Sequence, residues 1–427
     1  MKLGFSEKII TPHKHMEMVG FIPSRISDSV EKDLKVKTIA ILEKDKVYVW
    51  LTADSLGLSL FFKEQLLEKL KANNLNVVDL QMFATHTHSA PRCLKKAEFY
   101  LEDKFNDEKA YLDLLVNQSF TAIKESIKNA QQFSYKVNKA KIKDFQKNRI
   151  NKDSYYNDDL LVIEVSFSDD KLLIYSFSGH PTILNDKSTA ISPDYIGEVS
   201  RLLAKDLNYK KNIFFNAPCG DISSRYTRKE SSITELKRLS KIAFKHIKEA
   251  LSNLSEEKSL KNYKVRHLPY KLALKTFDSE KVAKEKLKKA EEDFENAKQD
   301  KKRYYETVMQ GARINLEHSQ KNSKDDFYQM NIYIVDIDDY HVVNIAGEIF
   351  SSLTKSLKED DKTWVLSLSD EYKTYLVDKS AYEQSTYEAL SSVYKKGEAE
   401  KLISYLKKLK WNKAYLWYNL VGVILWI

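Results

Sequence analysis

The sequence predicts an α/β fold, of mixed sheets with covering helices, in one large domain that carries a long charged helical insertion. Three observations predict it. Strand-like apolar runs alternate with amphipathic helical runs between residues 35 and 253, the order that builds a layered sheet covered by helices. The strand pattern resumes at 328–346. Between these stretches, 278–321 is charged and rich in Ala, Lys and Glu, unlike the rest of the chain.

The elements follow in order. Lys37–Glu43 and Val47–Thr52 read as two strands around the polar turn Lys44-Asp45-Lys46. A helix over about 60–73 puts Leu60, Leu66, Leu67 and Leu70 on one face. The strand Val77–Phe83 comes next, then an amphipathic helix over 107–131 through Tyr111, Leu114, Leu115, Ala122 and Ile123. Asp159–Phe167 and Lys171–Ser178 read as a hairpin, and 193–206 as a helix. Asn212–Ala217 is short and apolar, as a buried strand would be, and a helix over about 232–253 follows it. In 278–321 the helical spacing of Val282, Leu287, Ala290, Phe294 and Ala297 predicts one or two long exposed helices, in the second case a helical hairpin.

Composition narrows the class. The chain has 427 residues, 42% of them hydrophobic, enough for a substantial core. Its ten glycines and seven prolines leave little room for flexible linkers. Domain 1–409 is therefore read as one unit, followed by an apolar tail, 410–427. The net charge of +9 is small beside 70 basic and 61 acidic residues, and the two signs are interspersed. No basic stripe of the kind that binds nucleic acid occurs. The two cysteines, Cys93 and Cys219, form no disulfide framework and fit a reducing compartment. The first residues contain no apolar core of signal-peptide length, so a cytoplasmic protein is expected. The final apolar run, Leu420–Ile427, is too short to span a bilayer. It reads as a last core element, with a membrane-touching tail as the other option.

Five segments carry chemistry-bearing residues. The first is Ala84-Thr85-His86-Thr87-His88-Ser89-Ala90-Pro91, at the end of an apolar strand. In extended backbone His86 and His88 would project to one side, as in a metal site or a catalytic pair. Two hydrogen-bonded histidines of no catalytic use are the plainer reading. The second is Phe177-Ser178-Gly179-His180-Pro181, again a histidine at a strand end. The third, Asn216-Ala217-Pro218-Cys219-Gly220-Asp221-Ile222-Ser223-Ser224, runs from a buried strand into a turn. It is not a G-x-S-x-G elbow, so a simple serine triad is unsupported. The fourth is Ala346-Gly347-Glu348-Ile349-Phe350, with the carboxylate read at a helix N-terminus. The fifth is Tyr372-Lys373-Thr374-Tyr375, followed by Tyr382-Glu383 and Tyr387-Glu388.

In this order the segments resemble the catalytic domain of the neutral/alkaline ceramidase family. Thr85–Pro91 is similar to its T-H-T-H-S-G-P, Gly220–Ser223 to its G-D-V-S, and Gly347-Glu348 to its P-G-E-F. The tyrosine segment is similar to its Y-x-x-Y…E-Y…Y-E. The resemblance implies a zinc-dependent hydrolase of an amide (N-acyl) bond. His86, His180, Glu348 and Tyr375 would hold Zn2+, leaving a place for water. His88 would be an acid/base group, Arg149 would contact the substrate, Arg149 or Tyr375 would stabilise the oxyanion, and Ser223 would orient the substrate. The implied partner is a small-molecule or lipid-like N-acyl substrate, with no nucleic acid and no integral membrane span.

Several positions depart from the pattern. Ala90 stands for the usual glycine, Ser224 for the proline after G-D-V-S, and Asp186 and Pro193 alter the segment after His180. These changes, with the insertion at 278–321, put ceramide itself in doubt and leave open a ceramide-like or a different, smaller amide or ester substrate. The alternative is a non-catalytic protein of the same fold that binds a partner through the 278–321 arm. It predicts that His86, His180 and Glu348 stand more than about 6 Å apart, because zinc–ligand bonds are only about 2 Å long. A cysteine-based enzyme using Cys93 or Cys219 is a further, weaker reading.

Overall fold

The computed structural model describes residues 1–21, 23–92, 105–299, 301–320 and 326–411. Cys93 and nearly all of the apolar tail lie outside the described residues. Three mixed sheets organise the chain. The first has five strands, in the order Val77–Ala84, Lys46–Ala53, Lys35–Glu43, Lys2–Ile9 and Gln131–Gln132. The second runs Lys211–Asn216, Lys171–Phe177, Asp159–Ser166 and Ser134–Lys141. The third runs Tyr263–Ala273, Phe327–Ile337, Tyr340–Ile345 and Thr363–Leu366.

Alternation of side chains explains how the sheets meet. In the first sheet Leu3, Phe5, Ile39, Ile41, Tyr48 and Trp50 turn to one face. They pack on Val137, Leu161 and Phe215 of the second sheet and on Val335 and Trp364 of the third. The opposite faces are covered by helices. Leu60–Ala72 and Phe105–Lys128 lie on the first sheet, burying Phe62, Leu66, Leu115 and Ile123. Tyr195–Asp206 and Ile233–Leu251 lie on the second. Glu398–Trp411 lies on the third, through Leu402 and Leu406. Burying one such Leu contributes roughly 1.5–3 kcal/mol.

Each sheet contains one parallel pair: Lys46–Ala53 with Val77–Ala84, Lys171–Phe177 with Lys211–Asn216, and Tyr340–Ile345 with Thr363–Leu366. In the first two pairs the crossover carries a helix, Leu60–Ala72 or Tyr195–Asp206. The carboxyl ends of these strands are stitched together across sheets. Ser367 N donates to Asn216 O at 2.9 Å, Leu368 N to Gly347 O at 3.2 Å, and Asp370 N to Met82 O at 2.7 Å. Clefts at the carboxyl ends of parallel strands are where ligands bind in open α/β sheets. All five motif segments leave from these ends or from the loops that join them.

The insertion is a helical hairpin of Glu280–Glu295 and Lys302–Ser319. Arg313 pairs with Glu291 at 3.1 Å, and Gln320 donates to Glu280 at 3.1 Å, so the two helices run antiparallel. Its second helix packs on the short helix Tyr387–Ser391. Two expectations are corrected. Glu348 is not at a helix N-terminus: Glu348–Ile349 is a two-residue strand parallel to Tyr375–Leu376, and the next helix begins at Ser351. The His-Thr-His block is not extended, because the strand ends at Ala84 and His86 adopts a φ of 73°.

Candidate metal and active site

His86 takes a backbone conformation uncommon for a residue with a β-carbon, and two hydrogen bonds hold it there. Its N–H donates to Ser55 O at 2.8 Å, and its Nδ1 sits 2.7 Å from Leu56 O. With Nδ1 engaged by a carbonyl, Nε2 faces the site, the usual arrangement behind a metal-binding histidine. The Tyr372 ring stacks on His86 at 5.8 Å, and the Tyr372 hydroxyl donates to Glu348 Oε1. This leaves Glu348 Oε2 facing His86 Nε2 at 3.3 Å and His180 Nδ1 at 3.9 Å. Two glycines make the approach possible. Gly347 has a φ of +79°, and a β-carbon there would meet Thr374 O at 2.6 Å. One on Gly220 would meet Glu348 O at 2.6 Å.

His180 and His88 touch through their Nε2 atoms at 3.1 Å. The ligating atoms of His86, His88 and His180 all lie within 4.8 Å of one another, and all three residues are buried. The site thus contains two overlapping donor sets, His86–His180–Glu348 and His86–His180–His88. A metal fits on an observation independent of ligand spacing. His86 Nε2, His180 Nδ1 and Glu348 Oε2 are buried and lack a hydrogen bond of good geometry, a costly state for polar atoms without another partner. Ligands of one tetrahedral zinc stand about 3.4 Å apart, close to the separations from Glu348.

Electrostatics suits ligation. Burial pushes the imidazoles of His88 and His180 well below the usual histidine range, and neighbouring His86 and Arg149 add to the effect. They are neutral near pH 7, as metal ligands must be. Burial alone would raise the Glu348 carboxyl, but His86, Arg149 and the Tyr372 hydroxyl outweigh it and keep it ionised. Burial and the nearby Glu348 carboxylate push the phenols of Tyr372 and Tyr375 well up.

Arg149 follows a two-residue strand, Lys147–Asn148, that pairs with Ile222–Ser223. Its N–H donates to Asp221 O at 2.7 Å. Its Nε lies 2.7 Å from Glu388 Oε1, and its guanidinium sits over the Tyr375 ring at 5.4 Å. Asp221 is buried and fastens this corner, accepting from Ser351 N at 2.7 Å and Ser351 Oγ at 2.8 Å. Burial raises its carboxyl to about 6.

A cavity of about 610 Å³ opens over this cluster, lined in its depth by His88, His180, Arg149, Ser223 and Tyr375. His86 and Glu348 lie beneath, essentially inaccessible. Ser223 Oγ accepts from Arg225 N at 3.2 Å, and no histidine bonds to it among the described residues. The Cys219 thiol is fully buried and pushed far up, first by burial and then by Glu348. That argues against a thiolate nucleophile there. The insertion contributes Tyr304, Thr307 and Gln310 to the outer cavity wall.

Sequence reasoning had not assigned Tyr372, Glu388, Asp221 or the Leu56 carbonyl. Tyr372 and Glu388 stood inside quoted motifs, and buried acid–tyrosine pairs were the available signal. Nothing in the sequence marks the carbonyl.

No protein-family model and no curated protein matches the chain. Solved structures do. Neutral ceramidase from Pseudomonas aeruginosa superposes with a TM-score of 0.71 at 15% identity, covering 96% of this chain and 74% of that one. A ceramidase complexed with C2 gives a TM-score of 0.70 at 13% identity, covering 95% and 74%. The chain therefore has the fold seen in the neutral ceramidase structures, over almost its whole length.

Proposed function

We propose that this protein is a metal-dependent amidohydrolase that cleaves an N-acyl bond, with zinc as the native metal. The observation that carries the reading is the convergence of His86 Nε2, His180 Nδ1 and Glu348 Oε2, buried and lacking other partners, just beneath a cavity that His180 lines. The shared fold supports the amide as the bond class. The separation of more than about 6 Å that a non-catalytic relative would show is not seen between these groups.

In this reading His86, His180 and Glu348 hold the ion, with the Tyr375 hydroxyl as the fourth protein donor. Zinc at such a site supplies an activated water and polarises a carbonyl oxygen. The chain's own residues do the rest. Leu56 O and Tyr372 keep His86 and Glu348 aimed inward. Arg149, held by Glu388, presents its guanidinium where negative charge develops on the substrate carbonyl; one such donor is worth roughly 100- to 1000-fold in rate. His88 reaches the cavity and contacts His180 at 3.1 Å. Neutral near pH 7, it first accepts the proton released as the water attacks and then passes it to the leaving amine. Ser223 orients the substrate from the cavity wall.

The test is metal analysis of the purified protein with turnover of N-acyl substrates. About one zinc per chain and zinc-restorable hydrolysis are expected. Finding neither, even after zinc supplementation, overturns the reading.

A further inference from the structure

Much of the cavity lining is polar or charged, unlike a groove built for a long alkyl chain. Its lining mixes the cations Arg225 and Arg228 with the carboxylates Asp186 and Glu306 and the amides of Gln310 and Gln384. Among the described residues its apolar lining is Phe21, Ile150 and the rings of Tyr304, Tyr375 and Tyr387. A buried methylene gains about 0.8 kcal/mol only when it reaches apolar surface. A long alkyl chain laid here would instead strip water from amides and guanidiniums without replacing their hydrogen bonds.

The charges in the cavity are not all matched. Arg149 pairs with Glu388 at 2.7 Å. Arg228 donates to the Thr182 and Ile183 carbonyls and is attracted by Asp194 and Asp186. Arg225 differs. Its Nη1 donates to Arg149 O at 3.2 Å, and its backbone N–H donates to Ser223 Oγ at 3.2 Å. No carboxylate of the described residues lies within ion-pair distance of it. A cation with spare donors is therefore tethered to the two residues proposed to handle the scissile amide.

We propose that the cavity takes a small anionic N-acyl compound, an N-acylated amino acid with a short acyl chain, whose carboxylate is held by Arg225. This rests on the amidohydrolase reading and adds the substrate class to it. A carboxylate one carbon from the amide nitrogen would sit close to the reacting carbonyl, as the tether of Arg225 to Arg149 and Ser223 requires. Charge-assisted hydrogen bonds of this kind are about twice as strong as neutral ones.

The experiment uses the zinc-loaded full chain. Hydrolysis of N-hexanoylglycine is compared with that of N-hexanoylglycinamide and a short-chain ceramide, for the wild type and Arg225→Gln. Calorimetric binding of N-hexanoylglycine and its amide is measured in parallel. The expected result is a preference for the carboxylate in kcat/KM, reduced about tenfold or more in Arg225→Gln, mainly through KM. Equal or better turnover of the amide or the ceramide by the wild type overturns this inference and leaves the amidohydrolase reading intact. So does a carboxylate preference that survives Arg225→Gln. If no amide is hydrolysed, the amidohydrolase reading fails. Calorimetry then decides the carboxylate site alone: carboxylate-selective binding lost in Arg225→Gln upholds Arg225 as its holder, and no binding or binding without selectivity overturns it.

Discussion

At the scale of single residues, His86 and His88 are one residue apart and have different surroundings. His86 lies beneath the cavity, with Nδ1 on Leu56 O and Nε2 on Glu348. His88 lines the cavity and has Phe21 at 4.8 Å and His180 at 3.1 Å. Substitutions should therefore separate them. His86→Ala is expected to lose the metal together with turnover. His88→Gln should keep close to one zinc per chain and lose turnover by roughly 100- to 10,000-fold, the span of a general acid–base group. Atomic absorption and steady-state rates on the same samples distinguish the two; loss of metal in His88→Gln would make His88 a ligand. Tyr372→Phe removes the hydroxyl that orients Glu348, and metal affinity should weaken about 10- to 100-fold, as for other groups that position ligands. A chelator-competition titration measures this.

At the scale of elements, the insertion meets the site through a close helix contact. Gly311 packs so tightly on Leu390 that an added β-carbon would lie 2.6 Å from the Leu390 Cβ. Ala is about 1 kcal/mol better than Gly inside a helix, yet a contact under 3.0 Å forces the helices apart. Gly311→Ala is expected to destabilise the hairpin packing and raise KM several-fold with kcat largely kept. A change in kcat alone would detach the insertion from substrate binding. The helix Tyr195–Asp206 carries a separate pH dependence. Burial would raise the Glu198 carboxyl, but Arg201 at 2.7 Å and Lys32 at 2.9 Å outweigh it and hold it at about 2. A depressed folded-state value contributes stability that is present above about 4.5 and lost as pH falls towards 2. Melting temperature should therefore drop across that window, and the drop should be shallower in Glu198→Gln.

At the scale of the molecule, the site ties all three sheets together, so an ion there would link them. A ligand that binds only the folded state at 100 times its Kd adds about 2.7 kcal/mol. Zinc added to chelator-treated protein should raise the melting temperature, and His86→Ala should abolish the rise. No described helix is long and apolar enough to cross a membrane.

Much of the fold was legible because periodicity reports burial. The hairpin Asp159–Ser166 with Lys171–Phe177, the buried strand Lys211–Asn216 and the helical pair in 278–321 all formed near their expected bounds. Order along the chain also named the motif segments. Local conformation at the site was less legible. The extended reading of His-Thr-His failed because the positive φ of His86 is imposed by Ser55 and Leu56, some thirty residues earlier. The helix-capping reading of Glu348 failed because Tyr375–Leu376 pairs with it as a strand. Residue types, apolar patterning and motif order are properties of the sequence alone, and they determined the fold class and the candidate donors. Which nitrogen faces which oxygen, Tyr372 as the partner of Glu348, Glu388 as the partner of Arg149, and the insertion as a cavity wall were decided only by the tertiary structure. Those contacts join strand ends from three sheets, and neither spacing nor propensity encodes distances between segments that meet only after folding.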